Sequence, residues 1–294
     1  MIVKALLISV MMVACGAPQP GITPETLQSN FRERDETNQT FQLAPGTHVE
    51  VSSIRGGVEI VNSDSATAEV KIIRTARTRA DLEYHKIEVA QVGNKLVVRG
   101  IQEPDQRRGQ NIQVNHHVLL KLPRRIDLSV SSISGPLTVG DVDGEVQVNS
   151  ISGSANLGNM GGRLQINSIS GNLDVGNVGA EARVTSISGN LRLGQVNGSL
   201  EATSVSGGLY ATLVRLSPQG IHIKSVSGSV EIGFKDEVNA DFNAESVSGK
   251  VYLDVPNAIR DNLVKEPNFR ARIGAGGTPI MISSVSGNIR LTRS

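Results

Sequence analysis

The chain has 294 residues, including 31 Gly, five Phe, three Tyr and no Trp, and its 29 Lys and Arg nearly balance its 28 Asp and Glu. A core with so few aromatic side chains must be filled by aliphatic ones, and frequent Gly favours short strands joined by tight turns. The near-neutral charge excludes the strong electrostatic attraction that nucleic-acid binding requires, and we expect the pairs Arg107-Arg108 and Arg124-Arg125 to be solvated surface.

The N-terminus has the pattern of an export signal. The apolar run after Lys4 is far shorter than the ~20 residues that a membrane-spanning helix needs. It ends just before Cys15, the only cysteine, and resembles the lipobox of bacterial lipoproteins, with Met12 where Leu is usual. We therefore predict removal of residues 1–14 and lipidation of Cys15, which would anchor the protein to a membrane. A cleaved secretory signal and a free thiol are the alternatives.

Residues 15–40 are predicted to be a disordered tether. Residues 16–24 contain three Pro and two Gly, and a charged run follows at residues 32–36. Such a composition cannot bury a core.

Residues 41–129 are predicted to form an N-terminal β cap and the first coils of a repeat. The dipeptide Gly93-Asn94 favours a hairpin turn. A stack of strands needs such a cap because its open end exposes unpaired backbone. The strand predictions fall at residues 48–52, 57–60, 69–72, 95–98 and 118–122.

Residues 130–294 are dominated by an internal repeat. The tetrapeptide Ser-Ile/Val-Ser-Gly occurs eight times, and a degenerate copy begins at Ser53. Successive copies are spaced by 18, 18, 18, 18, 21, 21 and 38 residues. Strand-like alternation with Gly at a fixed phase predicts an all-β fold, a parallel β-solenoid of about 18-residue coils. An inserted loop is predicted at residues 256–279, and the final unit returns to the repeat. The copies begin at Ser132, Ser150, Ser168, Ser186, Ser204, Ser225, Ser246 and Ser284.

Alignment of the units predicts which columns of side chains face inward. We expect three aliphatic columns in the core, which begin at Ile133, Leu137 and Val139 and include Ile169 in the first of them. The flanking serines, in columns from Ser132 and Ser134, are expected to point outward. Two outward columns place opposite charges in successive coils, which favours this register. They are Glu145, Arg163, Glu181 and Ser199, and Gln147, Gln165, Arg183 and Glu201; Asp174 also precedes Arg192 in a third.

The chain also resembles a known bacterial family. Residues 118–130, with Pro123 and a basic pair inside them, lead into Ser-Ile-Ser-Gly, and residues 43–51 precede Ser53. This arrangement resembles the bacterial "putative adhesin" β-strand-repeat domains of unknown function over residues 41–294. The resemblance implies a β-solenoid, an extracytoplasmic location and an adhesion or envelope role, and it carries no catalytic residues.

Candidate chemical sites are few. A flat serine array could bind glycan, although serines at corners more often bond backbone groups. His116 and His117 should face opposite sides of a strand, and His48, His85 and His222 are scattered, so we predict no metal site and no cofactor.

Acidic residues matter because polysaccharide-cleaving β-helices gather them on neighbouring coils. Asp141 and Asp143 are followed one coil later by Asn159 and Gly161, and the pair Asp236-Glu237 stands alone in a turn. No acidic cluster persists, and we therefore predict that the protein is not an enzyme.

Two functional classes remain. The first is an adhesin-like binding module of the cell envelope, lipid-anchored at the outer membrane or cell surface, whose flanks contact a glycan, an envelope component or a protein. The second is a structural scaffold without a ligand, and a polysaccharide-acting β-helix enzyme is the remote third. Exposed aromatics would favour binding. Tyr210 and Tyr252 share one outward column, with Glu231 between them.

Overall fold

A computed structural model describes residues 33–102, 114–261, 264 and 267–293. Cys15, the predicted signal at residues 1–14 and the first part of the tether lie outside these residues. Within them, no helix is long and apolar enough to cross a membrane.

The repeat forms a parallel β-solenoid, as predicted, and each coil has three sides. In the first full coil, β7 (Ile126–Ser134) forms the long side and β8 (Leu137–Val139) the second side, and the third side makes one isolated bridge at Val142. Later coils repeat this pattern, and the third-side bridges run from Val142 through Met160 and Val178 to Val196. The next strands are β9 (Val146–Ser152), β10 (Ala155–Leu157), β11 (Leu164–Ser170), β12 (Leu173–Val175), β13 (Ala182–Ser188), β14 (Leu191–Ser206) and β15 (Leu209–Ser227).

The stacking register agrees with the sequence alignment. Gln147 pairs with Gln165, and Gln165 with Arg183, each one coil apart. The opposite charges predicted in the outward columns form ion pairs between successive coils. Arg183 Nε lies 2.8 Å from a Glu201 carboxylate oxygen, and Arg163 Nε lies 3.4 Å from a Glu181 carboxylate oxygen. The columns from Leu137 and Val139 are buried as predicted, except at Val251 and Leu253, which are half-buried in the coil at the C-terminal end of the stack.

The column that begins at Ile133 was predicted to be buried, and this prediction is wrong. Ile169 is 49% exposed, whereas the neighbouring Ser168 is only 3% exposed. The cause is the alternation of side chains between the two faces of a strand. Because β11 continues from Leu164 to Ser170, alternation that buries Leu164 and Ile166 must also bury Ser168 and turn Ile169 outward.

Glycine makes the corner that follows each Ser-Ile/Val-Ser. At Gly171 φ is +123°, and a Cβ there would lie 2.2 Å from the carbonyl oxygen of Gly153 in the preceding coil. Only glycine permits this conformation together with so close a backbone approach. Even-numbered residues face the core before this corner and odd-numbered residues face it afterwards, so that Leu173 points inward.

Side-chain amides and a carboxylate hold a second corner. Asp141 Oδ1 accepts the Asn159 backbone N–H at 2.8 Å, and Asn159 Oδ1 accepts that of Asn177 at 3.1 Å. Asn177 continues the ladder to Gln195 at 2.9 Å. These residues satisfy backbone donors where regular strand pairing is interrupted.

Antiparallel strands close the N-terminal end. β2 stacks in parallel on β7 and β8 as the first coil, and on its other side pairs in parallel with β5 and β6. β3 then pairs antiparallel with β6, β1 with β3, and β4 with β5. All five predicted segments are strand, although residues 48–52 and 57–60 belong to the single strand β2, and the hairpin turn at Gly93-Asn94 is confirmed. These elements are β1 (Glu33–Gln42), β2 (Thr47–Asn62), β3 (Thr67–Ala76), α1 (Arg79–Tyr84), β4 (His85–Val92), β5 (Lys95–Gln102) and β6 (Val114–Leu122).

Strand β1 corrects the predicted tether, because residues 33–40 are strand. Its ten residues are polar apart from Phe41, and they are held by the ladder to β3 and by ion pairs. Glu36 lies 2.7 Å from Lys71 Nζ, and Asp35 pairs with Arg74. The hydrogen bonds from these basic groups lower the pKa of both carboxyls.

The C-terminal coils are not stacked in chain order. β21 pairs with both β15 and β17, and β22 pairs with both β16 and β18, so the last coil of the chain lies between two earlier ones. The predicted loop at 256–279 also contains strand: β20 pairs antiparallel with β17, and β19 with β20, which closes this end. The strands are β16 (Val230–Phe234), β17 (Ala240–Ser248), β18 (Val251–Asp254), β19 (Ala258–Arg260), β20 (Asn268–Ile273), β21 (Thr278–Ser286) and β22 (Ile289–Arg293).

Candidate functional site

An exposed row of aliphatic side chains runs along the solenoid, and we call it the aliphatic stripe. Its eight members occupy one position in successive coils. Seven of them are 43–66% exposed, and Ile133 at the N-terminal end is half-buried. At ~4.8 Å per coil the row is about 34 Å long. In spatial order the members are Ile133, Ile151, Ile169, Ile187, Val205, Val226, Val285 and Val247.

A shallow groove of about 380 Å³ lies beside the first four members, and we call it the stripe groove. One wall is the aliphatic stripe itself. The other wall is the outward column of Asn149, Asn167 and Thr185, and Ser150 and Ser168 lie between the walls. Asn167 Nδ2 donates a hydrogen bond to Asn149 Oδ1 at 3.0 Å, and this bond connects two successive coils within the wall.

The first serine column faces the interior, so its predicted outward array is wrong. Ser132, Ser150, Ser168 and their counterparts are at most 6% exposed. Ser246 Oγ donates to the Gly287 carbonyl at 3.2 Å, whereas the hydroxyls of Ser132, Ser168 and four others have no hydrogen-bond partner in the described part of the chain. The exposed hydroxyls belong to the second column, as at Ser152 and Ser170.

Exposed tyrosines and arginines share one outward column on the second side, which we call the Tyr–Arg column. Tyr210 and Tyr252 are 40% and 41% exposed. The Arg192 guanidinium carbon lies 6.0 Å from the Tyr210 ring centroid, and that of Arg290 lies 5.3 Å from the Tyr252 ring. Because the coil of β22 lies between those of β16 and β18, the two tyrosines are separated by both Glu231 and Arg290. In order the column is Asp174, Arg192, Tyr210, Glu231, Arg290 and Tyr252.

A wider concavity of about 850 Å³ lies on the long side near the C-terminal end. It is open and lined by charges of both signs, and the exposed Met281 contributes apolar surface to it. The charged and polar lining includes Glu201, His222, Lys224, Glu245 and Arg270. The alternating charges give it no net preference for an anion or a cation.

The structure brings two histidines together that looked scattered in the sequence. The rings of His85 and His116 are 6.1 Å apart, while His117 is exposed on the opposite strand face, as predicted. His116 is 6% exposed, and its Nδ1 lies 3.0 Å from the Arg55 carbonyl oxygen. Burial, reinforced by His85 and Arg74, lowers the pKa of His116 to about 4. Burial and Arg55 also lower the pKa of His85.

These histidines do not form a metal site in the residues described. A structural metal needs three or four ligands, and no group of three His, Cys, Asp or Glu side chains with that arrangement is found there. His116 is instead a buried side chain of β6 that contacts the Arg55 backbone carbonyl of the paired strand β2.

The acidic residues singled out in the sequence have structural or solvated positions. Asp141 accepts two hydrogen bonds from Asn159 and lies 3.1 Å from an Arg124 nitrogen, so its carboxylate is fully engaged. Asp236 and Glu237 are exposed in a bend after β16. None of these three carboxylates is therefore gathered with another on a neighbouring coil in the part of the chain that the structure describes.

Comparison with known proteins agrees with this architecture. The sequence profile of a family described as Toastrack DUF4097 matches residues 47–292. No curated protein matches.

The chain is also similar to solved structures of bacterial proteins. A "putative adhesin" from Bacteroides fragilis is 12% identical, with a TM-score of 0.49, over 87% of this chain and 97% of that one. Another from Parabacteroides distasonis is 14% identical, with a TM-score of 0.45 and the same coverage. A "putative lipid binding protein" from Parabacteroides distasonis is 12% identical, with a TM-score of 0.38, over 87% and 96%. We infer nothing about this protein from similarities at these identities and TM-scores.

Proposed function

Because the chain belongs to the Toastrack DUF4097 family, whose name assigns no activity, we propose its function from its surfaces: it is a non-catalytic, adhesin-like binding module of the bacterial cell envelope. The observation that carries this proposal is the Tyr–Arg column. Two exposed tyrosines, each with an arginine near its ring, form an amphipathic contact strip on a rigid sheet. Tyr and Arg are among the residues that are enriched at binding hot spots.

The strip suits an extended ligand. Tyr210 and Tyr252 are three coils apart in spatial order, or about 14 Å at ~4.8 Å per coil. A glycan or an extended peptide can reach both rings, stack on their faces and bond the intervening Glu231 and Arg290. The strip is flat, which favours many weak contacts over enclosure of a small substrate.

The location belongs to the same proposal. A lipid on Cys15 would hold the module at a membrane, and the segment that precedes Glu33 would give it reach. The acylated chain is thus proposed to present its flanks to the outside or to the envelope wall.

The test measures binding of the purified full chain to an array of polysaccharides, peptidoglycan and extracellular proteins. The double substitution Tyr210→Ala, Tyr252→Ala should weaken binding at least about tenfold, because two ring contacts are lost. Asn156→Ala, at an exposed position of the same column, is the matched control and should bind as the native chain does. In cells, Cys15→Ser should move the chain from the membrane to the soluble fraction, and unchanged fractionation would remove the anchor from the proposal.

Other outcomes decide between the alternatives. Binding that survives the tyrosine substitutions but is lost with Arg270→Ala would move the site to the wider concavity. Absence of any binding would favour a scaffold. Turnover of a polysaccharide that disappears when one Asp or Glu is replaced would show that the protein is an enzyme.

A further inference from the structure

The aliphatic stripe has no partner in the described chain, although it is too regular to be scattered surface apolarity. Single exposed Ile or Val residues are common on soluble proteins, but an unbroken row about 34 Å long is not. Seven members are 43–66% exposed, so each leaves roughly half of its side chain in water. A surface of this kind normally marks a contact.

The stripe and the stripe groove together are self-complementary. The stripe is a ridge, and the groove lies directly beside it on the same side of the solenoid. A two-fold axis parallel to the solenoid axis exchanges left and right and keeps the coils at the same height. It therefore places the ridge of each copy over the groove of the other, rung by rung.

The charge pattern favours a like partner. On the first five rungs both flanking columns are neutral, with Ser, Asn or Thr on each side, so two copies would face each other without repulsion. Surfaces that dock on anionic lipid carry Lys, Arg and aromatic residues beside the apolar row, and these rungs have none.

The repeat distance favours a like partner as well. Same-face side chains of an extended peptide recur every ~6.6 Å, which falls out of step with rungs ~4.8 Å apart within two residues. A second copy of the solenoid has the same rung spacing and therefore stays in step along the neutral rungs of the stripe.

We propose that the aliphatic stripe is a pairing surface, in which the first four members of the stripe of one copy lie in the stripe groove of a second, parallel copy. The groove spans four rungs, or about 14 Å, and a contact of that length and one ridge wide buries less than a standard interface of ~1,600 Å², so the pair is weak in dilute solution. Parallel copies have their N-termini at the same end. Anchorage of both copies to one membrane would raise their effective concentration and strengthen the pair.

The test is thiol crosslinking of the full chain in intact cells with a short bismaleimide. Ile169→Cys beside the stripe groove and Val247→Cys at the far end of the stripe should each give a dimer band well above that of the unsubstituted chain, which reports any contribution of Cys15. Asn156→Cys, exposed on another side of the same solenoid, should not. Adding Ile151→Arg and Ile187→Arg to the Ile169→Cys chain should abolish its band while leaving its amount in the cell unchanged.

Each other outcome overturns part or all of the proposal. Equal bands for Ile169→Cys and Asn156→Cys, or a band that survives both arginines, would show that the stripe does not pair. A band at Ile169→Cys but none at Val247→Cys would mean antiparallel copies and would contradict the parallel arrangement. No dimer, with stripe-dependent labelling by a photoactivatable phospholipid, would assign the stripe to lipid. These results are independent of the ligand-binding test at the Tyr–Arg column.

Discussion

Replacing Ile166 by Ala should lower the free energy of unfolding by about 2–5 kcal/mol, whereas Ile169→Ala should lower it by less than about 1 kcal/mol. The two residues are identical in type and lie three positions apart in β11. Ile166 is 0% exposed and stacks between Val148 and Val184, so its truncation removes buried contacts and leaves a cavity. Ile169 is 49% exposed, and water fills the space that its side chain leaves.

Urea titration of the two variants measures this difference. Repeat arrays can unfold in segments, so the transition midpoints and slopes should be compared before free energies are extracted. Arg163→Ala is a further control on the outward charge ladder, and it should cost less than about 1 kcal/mol because its ion pair with Glu181 is exposed. Similar losses for Ile166→Ala and Ile169→Ala would contradict the assignment of inward and outward columns.

The second large effect is expected at the glycine corner. Gly171→Ala should destabilise the protein by more than about 3 kcal/mol, because it combines a disfavoured φ with a backbone clash. The added Cβ would lie 2.2 Å from the Gly153 carbonyl oxygen, and that oxygen belongs to a packed coil that cannot move alone.

A matched glycine separates the two causes. Gly277 has a similar φ of +115°, but a Cβ there would have no atom within 4 Å. Gly277→Ala should therefore show only the conformational cost of about 1–3 kcal/mol. Thermal or urea unfolding of both variants measures the difference, and equal losses would mean that the close stacking of corners adds nothing.

Sequence reasoning could predict the solenoid and its register because both follow from repetition. When the repeat units are aligned by their Ser-Ile/Val-Ser-Gly segments, opposite charges such as Arg183 and Glu201 fall in the same column one coil apart. The structure has this register. The parity of the Ser-Ile-Ser segment could not be read in the same way. An Ile between two serines suggests a buried Ile, but continuous strand from Leu164 to Ser170 places the serine inside.

The order of the last three coils was also beyond the sequence. The inward positions of the three units carry interchangeable aliphatic residues, as at Ile232, Leu253 and Leu291, so each coil fits on any other. The inserted segment is long enough to carry the chain past β17 and back. Pairing of β20 with the far edge of β17 then leaves the space between β15 and β17 for the final coil.

The candidate surfaces were predictable to different degrees. The shared column of Tyr210 and Tyr252 follows from the register alone, but the insertion of Arg290 between them depends on the coil order. The contact of His85 with His116 depends on how the cap strands cross, and no pattern in the sequence reports it. Strand β1 was missed because its alternating residues are polar on both faces.

The central claim is that the repeat turns its Ile/Val column to solvent and its serine column to the core. Thiol labelling of native single-site variants tests it most directly, with the unsubstituted chain as the background for Cys15. Cys at position 169, introduced as Ile169→Cys, should react with a maleimide at nearly the rate of a free thiol, because the native side chain is 49% exposed. Ser168→Cys, nearly isosteric and at a site only 3% exposed, should be protected until the protein unfolds. Rapid labelling of Ser168→Cys with protection of Ile169→Cys would contradict the account.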